Sequence, residues 1–316
     1  MRSCFIMVRK VKKESLEIFI FVTFLLIAVI TASVYKFIIT PENQHIFKIE
    51  PDSTVSISPD KLNSPNVILI RLKDHAILMQ KNSEEKIYPA SLTKIMTAIV
   101  AIENLPNLKE EIRLTNSTFQ RLYEADASMT GFQPGEKVSA IDLLYGALLP
   151  SGAESCIGLA NQIAGSEQGF VKMMNQKAAD LGMDNTHFEN VTGIHNENHY
   201  TTVENLAVLL SYALQNDTFR DIFTSSRHST QPTNKHPDGI TFYSTMFEEL
   251  DNQNIIDGEI LGGKTGYTDE VGLCLASLAK VGRQEYILIS AGAKGDHHSE
   301  QYNITDALAV YNSMGK

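Results

Sequence analysis

Apolar residues at Leu92, Ile95, Met96, Ile99 and Ile102 recur at three- and four-residue intervals, so the stretch from about Ser91 onward predicts a helix with a strongly buried face. Pro89, just upstream, breaks whatever precedes it. Residues 66–72 and 76–80 are two short apolar runs about Lys73-Asp74-His75, the pattern of a β-hairpin. From Asn107 to about Leu214 the helical period dominates. Residues 141–149, 155–164, 168–181 and 203–214 each carry it, with turn signals at Gln133-Pro134-Gly135, Pro150-Ser151-Gly152 and Gly193 between them. Met173, Met174 and Met183 read as core filler in that region. Residues 242–244, 272–278 and 285–291 have strand composition, and a closing helix is expected from about Ser299 to Tyr311. Hairpin, helices, β meander and terminal helix together predict an α+β fold: an antiparallel sheet flanked by helices and interrupted by a helical insertion at about 107–214.

The amino end breaks this pattern. Residues 18–35 are an uncharged apolar run that would span roughly 27 Å as a helix, close to a bilayer core, and Phe37-Ile38-Ile39 can extend it. Residues 1–17 are short and basic, which places them on the cytoplasmic side and the bulk of the chain outside. A cleaved signal peptide is the rival reading. The run is long for one and no Ala-x-Ala site follows, so an uncleaved single-pass anchor over 18–39 is preferred. Residues 40–65 are polar, contain four prolines and show no sustained period, as a linker would.

With 316 residues and 43% hydrophobic content, the chain can bury one large core or two modest ones. Six of the basic residues fall in the first 40 positions, leaving 21 basic and 35 acidic residues beyond them. No basic cluster is left there to hold phosphates in a row, which argues against nucleic acid as a partner. Cys4 precedes the apolar run, so only Cys156 and Cys274 lie beyond it. Both have apolar neighbours and read as buried free thiols, with a single disulfide as the alternative.

Candidate chemistry centres on Ser91 and Lys94. Three residues apart on a helix, they share a face one turn apart, close enough for an amine to take a hydroxyl proton. At a helix start, free N–H groups and the positive end of the macrodipole also favour an oxyanion. The spacing alone is weak, because Ser33/Lys36, Ser58/Lys61, Ser83/Lys86, Ser277/Lys280 and Ser313/Lys316 repeat it. Only Ser91/Lys94 opens a long amphipathic helix.

Two later segments raise its standing. Pro150-Ser151-Gly152-Ala153 follows a helix, and Gly262-Gly263-Lys264-Thr265-Gly266-Tyr267-Thr268 leads into strand-like sequence. Their order and spacing are those of penicillin-binding proteins and serine β-lactamases. The chain resembles, more narrowly, the D-alanyl-D-alanine carboxypeptidase family of low-molecular-mass penicillin-binding proteins. Pro89-Ala90-Ser91-Leu92-Thr93-Lys94, the Thr186-His187-Phe188…Asn190…Gly193 segment and His199-Tyr200-Thr201-Thr202 also look like that family. The likeness covers about residues 66–316.

The resemblance implies a β-lactamase/transpeptidase-like fold with an all-helical subdomain. It also implies Ser91 as nucleophile and Lys94 as base, kept neutral by burial and by repulsion from Lys264. Ser151 would relay a proton, Lys264 and Thr265 would hold a carboxylate, and the N–H groups of Ser91 and Tyr267 would receive the oxyanion. Gly266 would let a substrate approach the strand edge. The implied substrate is a peptidoglycan stem peptide ending in D-Ala-D-Ala, with β-lactams as inhibitors and no cofactor or metal. Ala153 departs from the family's usual Asn, which opens the alternative of a binding module with weakened chemistry. A serine β-lactamase is a further rival, but no Glu-x-x-Leu-Asn base and no Ser-Asp-Asn motif are present. The histidines of His195-Asn-Glu197-Asn-His199 and His297-His298 raise a zinc peptidase; they read instead as solvated loop residues.

Overall fold

The computed structural model describes residues 48–49, 55–250 and 252–314. The expected cytoplasmic tail and membrane span lie outside these residues, as does most of the amino-terminal half of the linker. Among the described residues no helix is long and apolar enough to cross a membrane.

A seven-stranded sheet organises the domain. Its strands are β1 (Lys48–Ile49), β2 (Asn66–Arg71), β3 (Ala76–Lys81), β8 (Asn254–Ile255), β9 (Gly258–Thr268), β10 (Gly272–Val281) and β11 (Gln284–Ala293), in the order β1-β3-β2-β11-β10-β9-β8. All neighbours are antiparallel except β1 and β3. The sheet is buried on both faces, which is why residues 67–70 and 273–276 read as continuous apolar runs. Ile68, Ile70, Ala276 and Ile289 face the helices that follow the first hairpin, whereas Val67, Leu69, Leu275 and Leu288 pack on the terminal helix Tyr302–Met314.

Between β3 and β8 the chain is mainly helical. A 3₁₀ turn, Ala90–Leu92, leads into α1 (Thr93–Asn104). Every residue of α1 from Thr93 to Ala101 is buried, so this helix is enclosed on all sides rather than on one face. Around it lie α2 (Asn116–Glu124), α3 (Ala140–Leu148), α4 (Ala153–Ala164), α5 (Glu167–Asp180), α6 (Val203–Ala213) and α7 (Asp217–Phe223). Two ribbons break the helical run, β4 (Glu111–Arg113) with β5 (Lys137–Ser139), and β6 (Arg227–Ser229) with β7 (Thr241–Tyr243). Three-residue strands with one buried residue between two that are not, such as Ile112 or Val138, carry too little alternation to be seen in sequence.

Residues 55–65 correct the expected linker. Leu62 and Ser64 are buried, and the backbone N–H groups of Asn63 and Ser64 donate to the Asp306 carboxylate at 2.9 and 2.7 Å. The proline-rich segment is therefore stitched to the terminal helix, through a partner 243 positions away.

Candidate active site

The Ser91 turn is held from two sides. Ala90 has φ of +46°, a conformation that costs a non-glycine residue roughly 1 kcal/mol or more. Behind it Gly193, at φ +86°, fits so closely that a Cβ there would lie 1.8 Å from the Ala90 carbonyl oxygen. Ahead of it, a Cβ on Gly266 would sit 3.2 Å from the Ser91 nitrogen, so the backbone of β9 runs against the Ser91 N–H. The sequence glycines at 193 and 266 are thus needed for close approach.

Lys94 extends from the first turn of α1 and is 2% exposed. Its Nζ donates to Ser91 Oγ at 2.8 Å and to the Thr192 carbonyl at 2.6 Å. Burial lowers its pKa to about 8, against the opposing pull of negative charge at Cys156 and Glu154. Repulsion from Lys264, expected to help, is not among the causes of this shift. It acts the other way: Lys264, also buried, is pushed well below the ordinary lysine value by burial first and by the Lys94 charge second. Two enclosed ammonium groups facing each other cannot both be held cheaply. The Lys264 Nζ donates to the Thr265 carbonyl at 2.8 Å.

Thr192 was not singled out from sequence, since its contribution is a backbone carbonyl. Asn190 shapes the loop that delivers it, with Oδ1 accepting from the N–H groups of Thr192 and Gly193 at 3.1 and 2.7 Å. Thr97 of α1 donates to the Val191 carbonyl at 2.7 Å and pins the same loop to the helix. His199 overturns its expectation as a solvated residue. It is 2% exposed, with Nε2 2.9 Å from Thr93 Oγ1 and Nδ1 accepting from the Glu189 N–H. Burial lowers its pKa to about 3, so it is neutral and Nε2 carries the donated proton. Among the described residues no group of three or more His, Cys, Asp or Glu side chains is disposed to hold a metal ion.

Ser151 sits in the turn between α3 and α4 at φ +67°, 5% exposed, with its Oγ buried and unbonded. The segment before it explains the shape. Thr130 fills the space that Cβ atoms on Gly146 or Gly152 would occupy, and the Glu154 carboxylate accepts from the N–H groups of Thr130 and Gly131 at 2.7 and 3.0 Å. Ala153, the first residue of α4, is buried and offers no polar group. Cys156 and Cys274 are free and buried, and burial pushes both thiols up to about 12.

The opposite wall is β9. Its only outer neighbour among the described residues, β8, pairs at Gly258 and Glu259, so Lys264–Thr268 presents an edge without a strand partner. Thr265 Oγ1 hydrogen-bonds Thr245 Oγ1. The Tyr267 hydroxyl donates to Asp269, and its ring lies edge-on to His297 with centroids 4.9 Å apart.

A serine bonded to a buried lysine, with a second buried lysine on a free strand edge close enough to feel the first one's charge, is an arrangement suited to acyl transfer. A family model described as D-alanyl-D-alanine carboxypeptidase, peptidase S11, matches residues 53–295. The chain belongs to this family. Among similar members is D-alanyl-D-alanine carboxypeptidase DacF of Bacillus subtilis, 34% identical over 235 residues, covering 72% of this chain and 57% of the relative. Another is the D-alanyl-D-alanine carboxypeptidase of Streptomyces sp. K15, 31% identical over 218 residues and covering 66% and 74%. The chain thus spans little more than half the length of the Bacillus relative. The crystal structure of the Streptomyces K15 DD-transpeptidase superposes with a TM-score of 0.73 at 25% identity, covering 82% of this chain and 98% of that one. This S11 fold has the antiparallel sheet and flanking helices that the motif order implied.

Proposed function

We propose that the protein is a serine-type D-Ala-D-Ala carboxypeptidase acting on peptidoglycan stem peptides and acylated by β-lactams. The 2.8 Å contact between Lys94 Nζ and Ser91 Oγ inside a buried site carries this reading. When substrate enters, its terminal carboxylate lies beside Lys264 and Thr265, and this anion favours the charged form of Lys264. That positive charge in turn favours the neutral form of Lys94. Lys94 takes the Ser91 proton, Ser91 attacks the carbonyl of the penultimate D-alanine, and the N–H groups of Ser91 and Tyr267 receive the oxyanion. Ser151 passes a proton to the leaving D-alanine, and water resolves the ester. The free edge of β9 supports antiparallel docking of the peptide. Residues 18–39 anchor the chain in the cell membrane with the catalytic domain outside.

Ser91→Ala abolishes covalent labelling by penicillin; labelling that persists removes the nucleophile assigned here. One observation favours a second reading. Ala153 has no amide to bridge lysine and substrate, so acylation with little turnover would make the domain a peptidoglycan-binding module. Release of D-alanine from a D-Ala-D-Ala tripeptide mimic by protein not exposed to penicillin supports the carboxypeptidase, and penicillin labelling without such release supports the module.

A further inference from the structure

The strands that build the catalytic wall end, at their other extreme, in a second cleft. Cys274 of β10 pairs with Gly266, beside the nucleophile, and Lys280 lies six residues further along the same strand. At ~3.3 Å per residue that is roughly 20 Å. There a cleft of about 560 Å³ is bordered by the turn after β2, the carboxyl end of α6, Arg220 of α7 and the β10–β11 turn. Lys73, Arg220, Lys280 and Arg283 line it, with Glu285 as the one carboxylate, and Glu285 already accepts a hydrogen bond from Arg220. Such a concentration of cations stands out in a chain of net charge −10. Ser211 of α6 also lines the cleft. It is 2% exposed, and its hydroxyl is buried with no hydrogen-bond partner. A helical serine commonly returns its hydroxyl to the carbonyl four residues back; this one does not.

Cations around an unmatched hydroxyl call for a compact anion with several acceptor oxygens. We propose that this cleft binds a phosphate group, held by Lys73, Lys280, Arg283 and Arg220, with the Ser211 hydroxyl donating to one of its oxygens. Two sources present that chemistry, an anionic lipid headgroup and a soluble phosphate. The pairing of Lys48 with Ala76 brings the polypeptide into the sheet at this same end, from the part of the sequence that carries the proposed anchor. The site itself stands whether or not residues 18–39 are an anchor.

The full-length chain in uncharged detergent micelles is titrated with inorganic phosphate against chloride at matched ionic strength. In a second arm it is mixed with phosphatidylcholine vesicles with and without phosphatidylglycerol. Amide hydrogen exchange is read in residues 205–220 and 278–286. Protection of these segments by phosphate supports the site and a soluble source; protection only with phosphatidylglycerol supports the site and a lipid source. Lys280→Gln with Arg283→Gln, both at exposed positions, weakens the effect at least fivefold, and Ser211→Ala weakens it two- to fivefold, roughly the loss of one charge-assisted hydrogen bond. Penicillin labelling of each variant reports that the domain is folded, and its absence from the parent chain speaks against the proposed catalysis, not against this site. No protection in either arm beyond that of chloride, or protection that the double variant leaves unchanged, overturns the proposal.

Discussion

Ser91/Lys94 and Ser277/Lys280 have the same spacing and opposite fates. On the turn that opens α1 the two side chains project to one side and meet at 2.8 Å. On β10 a separation of three places them on opposite faces of the sheet. Ser277 is fully buried, its Oγ 3.0 Å from the Tyr311 hydroxyl of the terminal helix, while Lys280 is exposed at the far cleft. Ser83/Lys86 and Ser58/Lys61 divide in similar ways, with Ser83 bonding Gln80, Lys86 lying over the Tyr200 ring and Ser58 capping a 3₁₀ turn. Spacing becomes chemistry only where the backbone turns the pair inward and burial takes a proton's solvation away.

The largest expected effect tests that statement directly. Lys94→Met slows penicillin acylation by roughly 10²–10⁴-fold, the usual contribution of a positioned base, whereas Lys280→Met changes it less than about twofold. The pH dependence sharpens the contrast. Lys94 is lowered to about 8, so the fraction of neutral base grows about tenfold per pH unit below that value and levels off above it. The acylation rate should follow this rise. A flat profile between pH 6 and 9, about two units below to one above the shifted value, would remove Lys94 as the group that limits it.

A smaller effect is expected at the support of the turn rather than at its chemistry. Gly193→Ala places a Cβ against the Ala90 carbonyl and forces an unfavourable φ, so acylation falls about tenfold or more and stability by roughly 1–3 kcal/mol. Denaturant unfolding and labelling rates, measured together, separate the two. Retained labelling at the parent rate would show that the 190–193 loop does not set the position of Ser91.

What could be read from sequence follows the same division. The Ser91 helix, the hairpin, the β meander and the order of the three motifs all rest on periodicity and local side-chain chemistry, and these were legible. The Thr192 carbonyl was not, because any residue can offer a carbonyl and this one comes from 98 positions away. Nor was the brace behind Ser151, where Glu154 and Thr130 meet across 24 residues. Asn116–Glu124 could not be singled out within the helical region because its buried residues, Thr118, Phe119 and Leu122, leave its other positions polar or exposed. His199 looked like a solvated ligand candidate until the fold enclosed it against Thr93.

Ser277→Ala removes a buried hydroxyl that bonds Tyr311, yet the Tyr311 hydroxyl keeps the Ser277 carbonyl at 3.3 Å as an acceptor. The buried phenol is therefore not left without a partner, and the cost is that of one ordinary hydrogen bond, about 1 kcal/mol. For a domain of this size that lowers Tm by about 2–4 °C. Penicillin labelling at the parent rate should accompany it, since Ser277 faces the terminal helix and not the cleft. A loss of several kcal/mol would mean that the serine also holds the pairing of β10 with β11, where its Oγ lies 3.4 Å from the Leu288 carbonyl.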